Sequence, residues 1–210
     1  ILADHSLVER RLERLAKGKK GMSPQEEREK ALLSGTVLPA LEAETPLRRL
    51  SLGGDDERLL RGFQLLSAKP LLAVVNVAEG DVARVKAVRE AVGPQAHIGV
   101  DANGGWKSPD DAIRVIERLA RFDLHFVEQP VPAGDLFGMA QVHGRVSFPI
   151  IADESVYALG DAQNLARAKA ADVFSIYVGK AGGILGARVI ADFAESVGLS
   201  CTVGSNLEMG

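Results

Sequence analysis

The chain has 210 residues, a formal net charge of −3, 46% hydrophobic residues and 25% charged residues. These values fit a globular protein of one large or two small domains, and no charge excess points to nucleic acid or an anionic membrane. The single cysteine, Cys201, excludes an intrachain disulfide framework and suits a reducing compartment, so a cytoplasmic location is expected. No apolar run reaches ~18 residues, so no membrane-spanning helix is expected, and no secretory signal pattern is present. The chain starts at Ile1 rather than methionine and is expected to be a fragment or a processed product.

Residues 1–69 read as helical and charged. Leu2, Leu7, Val8, Leu12 and Leu15 recur at near-heptad spacing among Glu and Arg. The basic residues Arg10, Arg11, Arg14, Lys17, Lys19 and Lys20 interleave with Glu9 and Glu13, and Glu26 and Glu27 follow, which favours a solvated helical face over an RNA-binding one. Ser23, Pro24 and Glu26 form an N-cap, a first-turn proline and a capping-box acid. A second helix is expected from there toward Leu41, threatened by Gly35 and Pro39. A third is expected over 55–66.

From Pro70 the pattern changes to strand–helix alternation. PLLAVVNVA is a nearly continuous apolar run, as for a strand covered on both faces. Helices are expected over 81–93, 110–122, 135–144, 160–170 and 183–198. Between them lie the strand segments HIGVDA, LHFVEQ, FPIIAD, DVFSIYV and LSCTVGS, which brings the strands to six. A closed (β/α)₈ barrel needs eight. The expected fold is therefore α/β: a helical hairpin-like segment, 1–69, followed by an incomplete parallel (β/α) barrel, 70–210.

Three acids close strand segments: Asp101 in VDANGGW, Glu128 in FVEQP and Asp153 in IADES. Parallel strands end on one face, so carboxylates at consecutive strand ends converge. Spacing alone leaves two readings open, ordinary capping or loop acids and a shared oxygen-lined site for a hard cation such as Mg²⁺. Gly182 and Gly183 likewise read as an anion site at a helix start or as a tight turn. Trp106 reads as loop packing or a pocket mouth. The histidines His5, His97, His125 and His143 show no zinc-ligand spacing.

VDANGGW, VEQP, ADES, VGKAGGI and GSNLE, in this order and spacing, resemble the muconate-lactonizing and mandelate-racemase branch of the enolase superfamily from about Asp81 to Gly210. The resemblance implies Asp101, Glu128 and Asp153 as ligands of Mg²⁺ (or Mn²⁺), with Asn103 near the metal. It implies Glu208 as the counterpart of an eighth-strand acid that helps bind or polarise the substrate carboxylate. The implied reaction is proton abstraction α to a carboxylate, as in cycloisomerases, racemases and epimerases, and the implied partner is a small carboxylate.

The chain departs from that pattern at the bases. The family's Lys-x-Lys strand is matched by PLLAVVNVAEG, which has no lysine, and the opposing lysine position holds Tyr177. An ordinary tyrosine, with a pKa of ~10, is a poor base near neutrality. Lys180 stands three residues on. It reads either as a displaced acid/base or as a loop lysine facing substrate or solvent.

LVERRLERL, RLLRGFQLLSAKPLL and VVNVAEGD, within about residues 2–81, resemble the Obg-like ATPases. There the helical hairpin is an insertion, and Asn-x-x-Glu, here Asn76 and Glu79, lies on the base-recognition strand and favours adenine. No phosphate-cradling G-x-x-x-x-G-K-[ST] loop occurs. The two resemblances together read as a chimera joined near 79–81. The expected function is an enolase-superfamily-like metal site with little or no turnover, at most an isomerase or lyase. The alternatives are a nucleotide- or ribosome-associated module and an inactive engineered hybrid. Open barrel edges favour a homo-oligomer.

Overall fold

The computed structural model describes residues 1–18, 21–78 and 81–204. The chain divides into two compact units, Ile1–Leu71 and Leu72–Gly210.

The first unit is helical. Helix α1 spans Leu2–Ala16 and α2 spans Pro24–Leu32. The Ser23 capping box forms as expected: Ser23 Oγ accepts from the Glu26 amide and the Glu26 carboxylate accepts from the Ser23 amide, at 3.3 and 2.8 Å. Gly35 and Pro39 do not stop the helix. One wide π turn, Leu33–Val37, absorbs them and leads into α3, Leu38–Glu42. Pro39 has no N–H to give and its ring crowds the preceding turn; widening that turn relieves the clash. Helix α4 spans Gly54–Arg61, shorter than expected, because Gly62 and the left-handed Gln64 (φ 54°) turn the chain away.

Val8, Leu32, Leu33, Val37, Leu41, Leu47, Leu60 and Leu65 form this unit's core. Asp4 is buried but satisfied, accepting from the Leu66 and Ser67 amides at 2.8 and 2.6 Å. Of the basic residues, Arg11 grips Glu29 through two hydrogen bonds of 2.5 and 3.1 Å, and Lys17 pairs with Glu13. These pairings fit a solvated, charge-balanced helical surface.

The second unit is a six-stranded, all-parallel sheet in sequential order. Its strands are β1 (Leu72–Asn76), β2 (His97–Asp101), β3 (Leu124–Glu128), β4 (Ile150–Ala152), β5 (Val173–Tyr177) and β6 (Ser200–Gly204). The intervening helices are α5 (Val82–Val92), α6 (Pro109–Leu119), α7 (Leu136–His143), α8 (Leu159–Ala168) and α9 (Ile184–Ser196). This is the expected incomplete parallel barrel. Among the described residues β1 and β6 each pair with one neighbour only, which leaves two edges.

Alternation along the strands sorts the side chains. Val75, Ile98, Val100, Val127, Phe174 and Ile176 point to the helices and join Ile113, Ile116, Leu119, Leu165 and Ile190 in one core. The opposite, concave face carries Val74, Asn76, Asp101, Glu128 and Tyr177. Leu72 and Val74 on that face are half exposed, at 49% and 50%. Ser108 caps α6 as expected, its Oγ accepting from the Asp111 amide. Arg89 ties α5 to the turns beneath the sheet, donating to the carbonyls of Gly93, Ala96 and Phe122 at 2.7–3.1 Å.

Candidate metal and carboxylate site

Strand register sets the site. Asn76 stands opposite Asp101, and Asp101 opposite Glu128. Glu128 stands opposite Ile151, so Asp153 follows two residues on, on the same face. Tyr177 closes the row opposite Gly204. A β-carbon on Gly204 would lie 2.5 Å from the Tyr177 ring, so only glycine lets that ring lie against β6.

Two of the three acids have their own support. Asp101 Oδ1 accepts from the Asn103 amide at 2.8 Å, within a turn where Asn103 (φ 47°) and Gly104 (φ 66°) are left-handed. Gln129, fully buried, joins two strand ends. Its Nε2 donates to Val131 O and Ser155 Oγ at 2.8 and 2.7 Å, and its Oε1 accepts from the amides of Asp153 and Ser155 at 3.0 and 3.2 Å. Asp153 is held from both sides. Lys180 Nζ donates to its Oδ1 at 2.5 Å and Tyr177 Oη donates to its Oδ2 at 3.2 Å.

Lys180 corrects one expectation. It is no solvent-facing loop lysine: its side chain is 7% exposed, bonded also to the carbonyls of Asp153 and Ser175 at 2.7 and 3.3 Å. Its ammonium stands 4.4 Å from the Tyr177 ring centroid and 5.3 Å from that of Tyr157. Trp106 lines no pocket mouth; it is fully buried in the core.

Charge accumulates at this rim. Burial pushes the Glu128 carboxyl up to about 7, and the charges of Asp101, Asp153 and Glu154 add to the push. Burial also raises Asp101, helped by Asp153. Glu154, on which no expectation fell, belongs to the same group: burial raises its carboxyl, and Oε2 has no hydrogen-bond partner among the described residues. The sequence held a signal for it, since it directly follows Asp153. Tyr177 is pushed up to about 12 by burial and by Asp153, which keeps its proton on the phenol.

Glu128 has a consequence for stability. A carboxyl held above its ordinary value binds its proton more tightly folded than unfolded. Its contribution is therefore fully present below pH 4.5 and is lost as pH rises to about 7. The denaturation midpoint of the second unit is expected to fall over that window, by an amount reduced by solvent screening of the part-exposed carboxyl. Urea titrations at several pH values check this, and Glu128→Gln should flatten the dependence.

Oxygen donors of this kind suit a hard divalent cation, and Glu154 Oε2 is buried with no hydrogen-bond partner among the described residues. The carboxylates are not yet a cage. Among the described residues no three of His, Cys, Asp and Glu are grouped closely enough to hold an ion as they stand. Both Asp153 oxygens are already engaged, by Tyr177 and Lys180.

The other expected residues divide. Glu79 and Glu208 lie outside the described residues. Asn76 ends β1, its carbonyl accepting from Arg84 Nη1 at 2.9 Å. No helix among the described residues is long and apolar enough to cross a membrane.

An open parallel half-barrel with acids at consecutive strand tips defines an α/β protein with a carboxylate-rimmed site. The enolase C-terminal domain-like family model matches residues 56–210, and the chain belongs to that family. It is 40% identical over 152 residues to the hydrophobic dipeptide epimerase of Enterococcus faecalis, covering 72% of this chain and 42% of the relative. It is 32% identical over 128 residues to muconate cycloisomerase 1 of Rhodococcus opacus, covering 61% and 34%. Among solved structures, the Enterococcus faecalis V583 dipeptide epimerase complexed with Mg and the dipeptide L-Leu-L-Tyr matches with a TM-score of 0.63 and 39% identity, covering 65% of this chain and 39% of that one. The chain thus spans well under half the length of the relatives it matches. The family match begins upstream of the junction expected near 79–81, across β1 itself. Nothing found supports the resemblance to Obg-like ATPases or the chimera built on it.

Proposed function

We propose that the second unit is a divalent-cation site of the enolase superfamily, with Asp101, Glu128 and Asp153 as ligands of Mg²⁺ or Mn²⁺ and a small carboxylate as the bound partner. The observation that supports this reading is the strand register, which brings Asp101, Glu128 and Asp153 to consecutive strand ends on one face. The relatives are an epimerase and a cycloisomerase, so the parental chemistry is removal of a proton α to a carboxylate. A bound cation would supply positive charge to the substrate carboxylate and to the enolate oxygen.

This chain's residues serve binding better than proton transfer. On β1 the concave face offers Val74 and Asn76, neither of them a base. Tyr177 keeps its proton and spends it on Asp153. Lys180 is committed to Asp153 and two carbonyls. A base must reach the α-proton, directly or through one water, and none of these is free to do so. The proposal is therefore a site that binds and turns over little or nothing.

Titration calorimetry with Mn²⁺ at pH 8 tests the binding. Saturable heat is expected in the wild type and none in Asp101→Ala or Glu128→Ala. A wild-type isotherm reproduced by those variants removes the site. Proton NMR in D₂O tests the turnover, with dipeptides and hydroxy acids as probes. No deuterium is expected at the α-carbon, and rapid incorporation abolished by Lys180→Met contradicts the inactive reading.

A further inference from the structure

The two hands on Asp153 are unequal. Lys180 is anchored by three oxygens, Asp153 Oδ1, Asp153 O and Ser175 O, and its side chain is almost wholly enclosed. Tyr177 makes one hydrogen bond to Asp153, of 3.2 Å, to Oδ2, from a ring held against Gly204. A buried ammonium with three acceptors stays where it is. A single hydrogen bond from a neutral phenol exchanges far more readily.

We propose that Tyr177 is a cap on the cation-binding oxygen of Asp153: Lys180 fixes Oδ1 permanently, Oδ2 is the ligand oxygen, and the Tyr177 hydroxyl occupies it until a cation is taken up. This rests on the metal-site reading above and adds a residue that regulates it. Lys180 holds Oδ1 and the phenol holds Oδ2, so both oxygens of Asp153 are engaged. Tyr177 is thereby a positioning residue, acting through Asp153. Removing its hydroxyl leaves Oδ2 with no hydrogen-bond donor among the described residues.

The test uses the full chain, Mn²⁺ alone as the probe, and two readouts independent of turnover. In calorimetry, Tyr177→Phe is expected to bind Mn²⁺ about ten-fold tighter than wild type, the worth of one hydrogen bond to a charged acceptor. In ultraviolet difference spectroscopy, saturating Mn²⁺ is expected to perturb tyrosine absorption in the wild type, with the signal absent from Tyr177→Phe. The other tyrosine, Tyr157, serves as internal control. Binding seen only in Tyr177→Phe also supports the cap, provided Asp101→Asn in that background removes it. Equal or weaker binding by Tyr177→Phe, with wild-type binding intact, overturns the cap and leaves the metal site standing. No binding by either protein overturns both.

Discussion

Lys180→Met is expected to destabilise the second unit by about 3 kcal/mol, the lower end of what removing one partner of a buried ion pair costs. The pair is well enclosed, with Lys180 and Asp153 side chains 7% and 14% exposed. Methionine fills much of the same volume, so lost packing contributes little. The cost comes from charge. Lys180 is the ammonium that counters Asp153 directly and also lowers Glu128 and Glu154. Without it, acids crowd one rim with no adjacent cation among the described residues, and the Asp153 and Ser175 carbonyls lose a donor. Urea denaturation followed by Trp106 fluorescence measures the loss, since this is the only tryptophan and it is buried in the second unit. Lys180→Arg separates charge from shape: the longer, planar fork retains charge but does not fit the three acceptors, so an intermediate loss is expected. A midpoint unchanged in Lys180→Met would show that the pair contributes nothing net.

Trp106→Ala is expected to cost about 3–5 kcal/mol, the range for emptying a large aromatic site in a packed core. Trp106 is fully buried in a turn after β2, and its amide donates to Pro130 O at 3.3 Å. The side chain thus fills the space where the β2 and β3 turns meet. Trp106→Phe should lose much less, because phenylalanine keeps a ring in the site. It also removes an indole N–H that has no partner among the described residues. Circular dichroism during urea denaturation compares the three proteins. If alanine and phenylalanine cost the same, ring packing is not what holds this turn.

The fold was legible where the sequence repeats a simple physical pattern. Apolar runs such as HIGVDA and DVFSIYV are long enough for a buried strand and too short for a helix, and each is followed by an amphipathic segment with a Ser, Asp or Gly boundary. The acids at the strand tips were legible for the same reason, since register in a parallel sheet fixes which residues meet. What was not legible depends on contacts between distant residues. Lys180 sits in a glycine-flanked turn, where a lysine normally faces solvent; nothing local reveals that three acceptors enclose it. Gln129 was visible within a motif, but its role arises only where β3 and β4 lie side by side. The π turn ahead of Pro39 was missed because local rules treat proline as a stop. The Obg-like attribution found no support, and the enolase family match runs across β1. A buried parallel strand before a helix is common to many α/β folds, so PLLAVVNVA carries little family information.

Gln129 has a mechanical implication. One carboxamide bonds the chain beyond Glu128 to the peptide groups of Asp153 and Ser155. The chain ends that follow β3 and β4, beside Glu128 and Asp153, therefore share one fixed link, and a force on either is transmitted to the other.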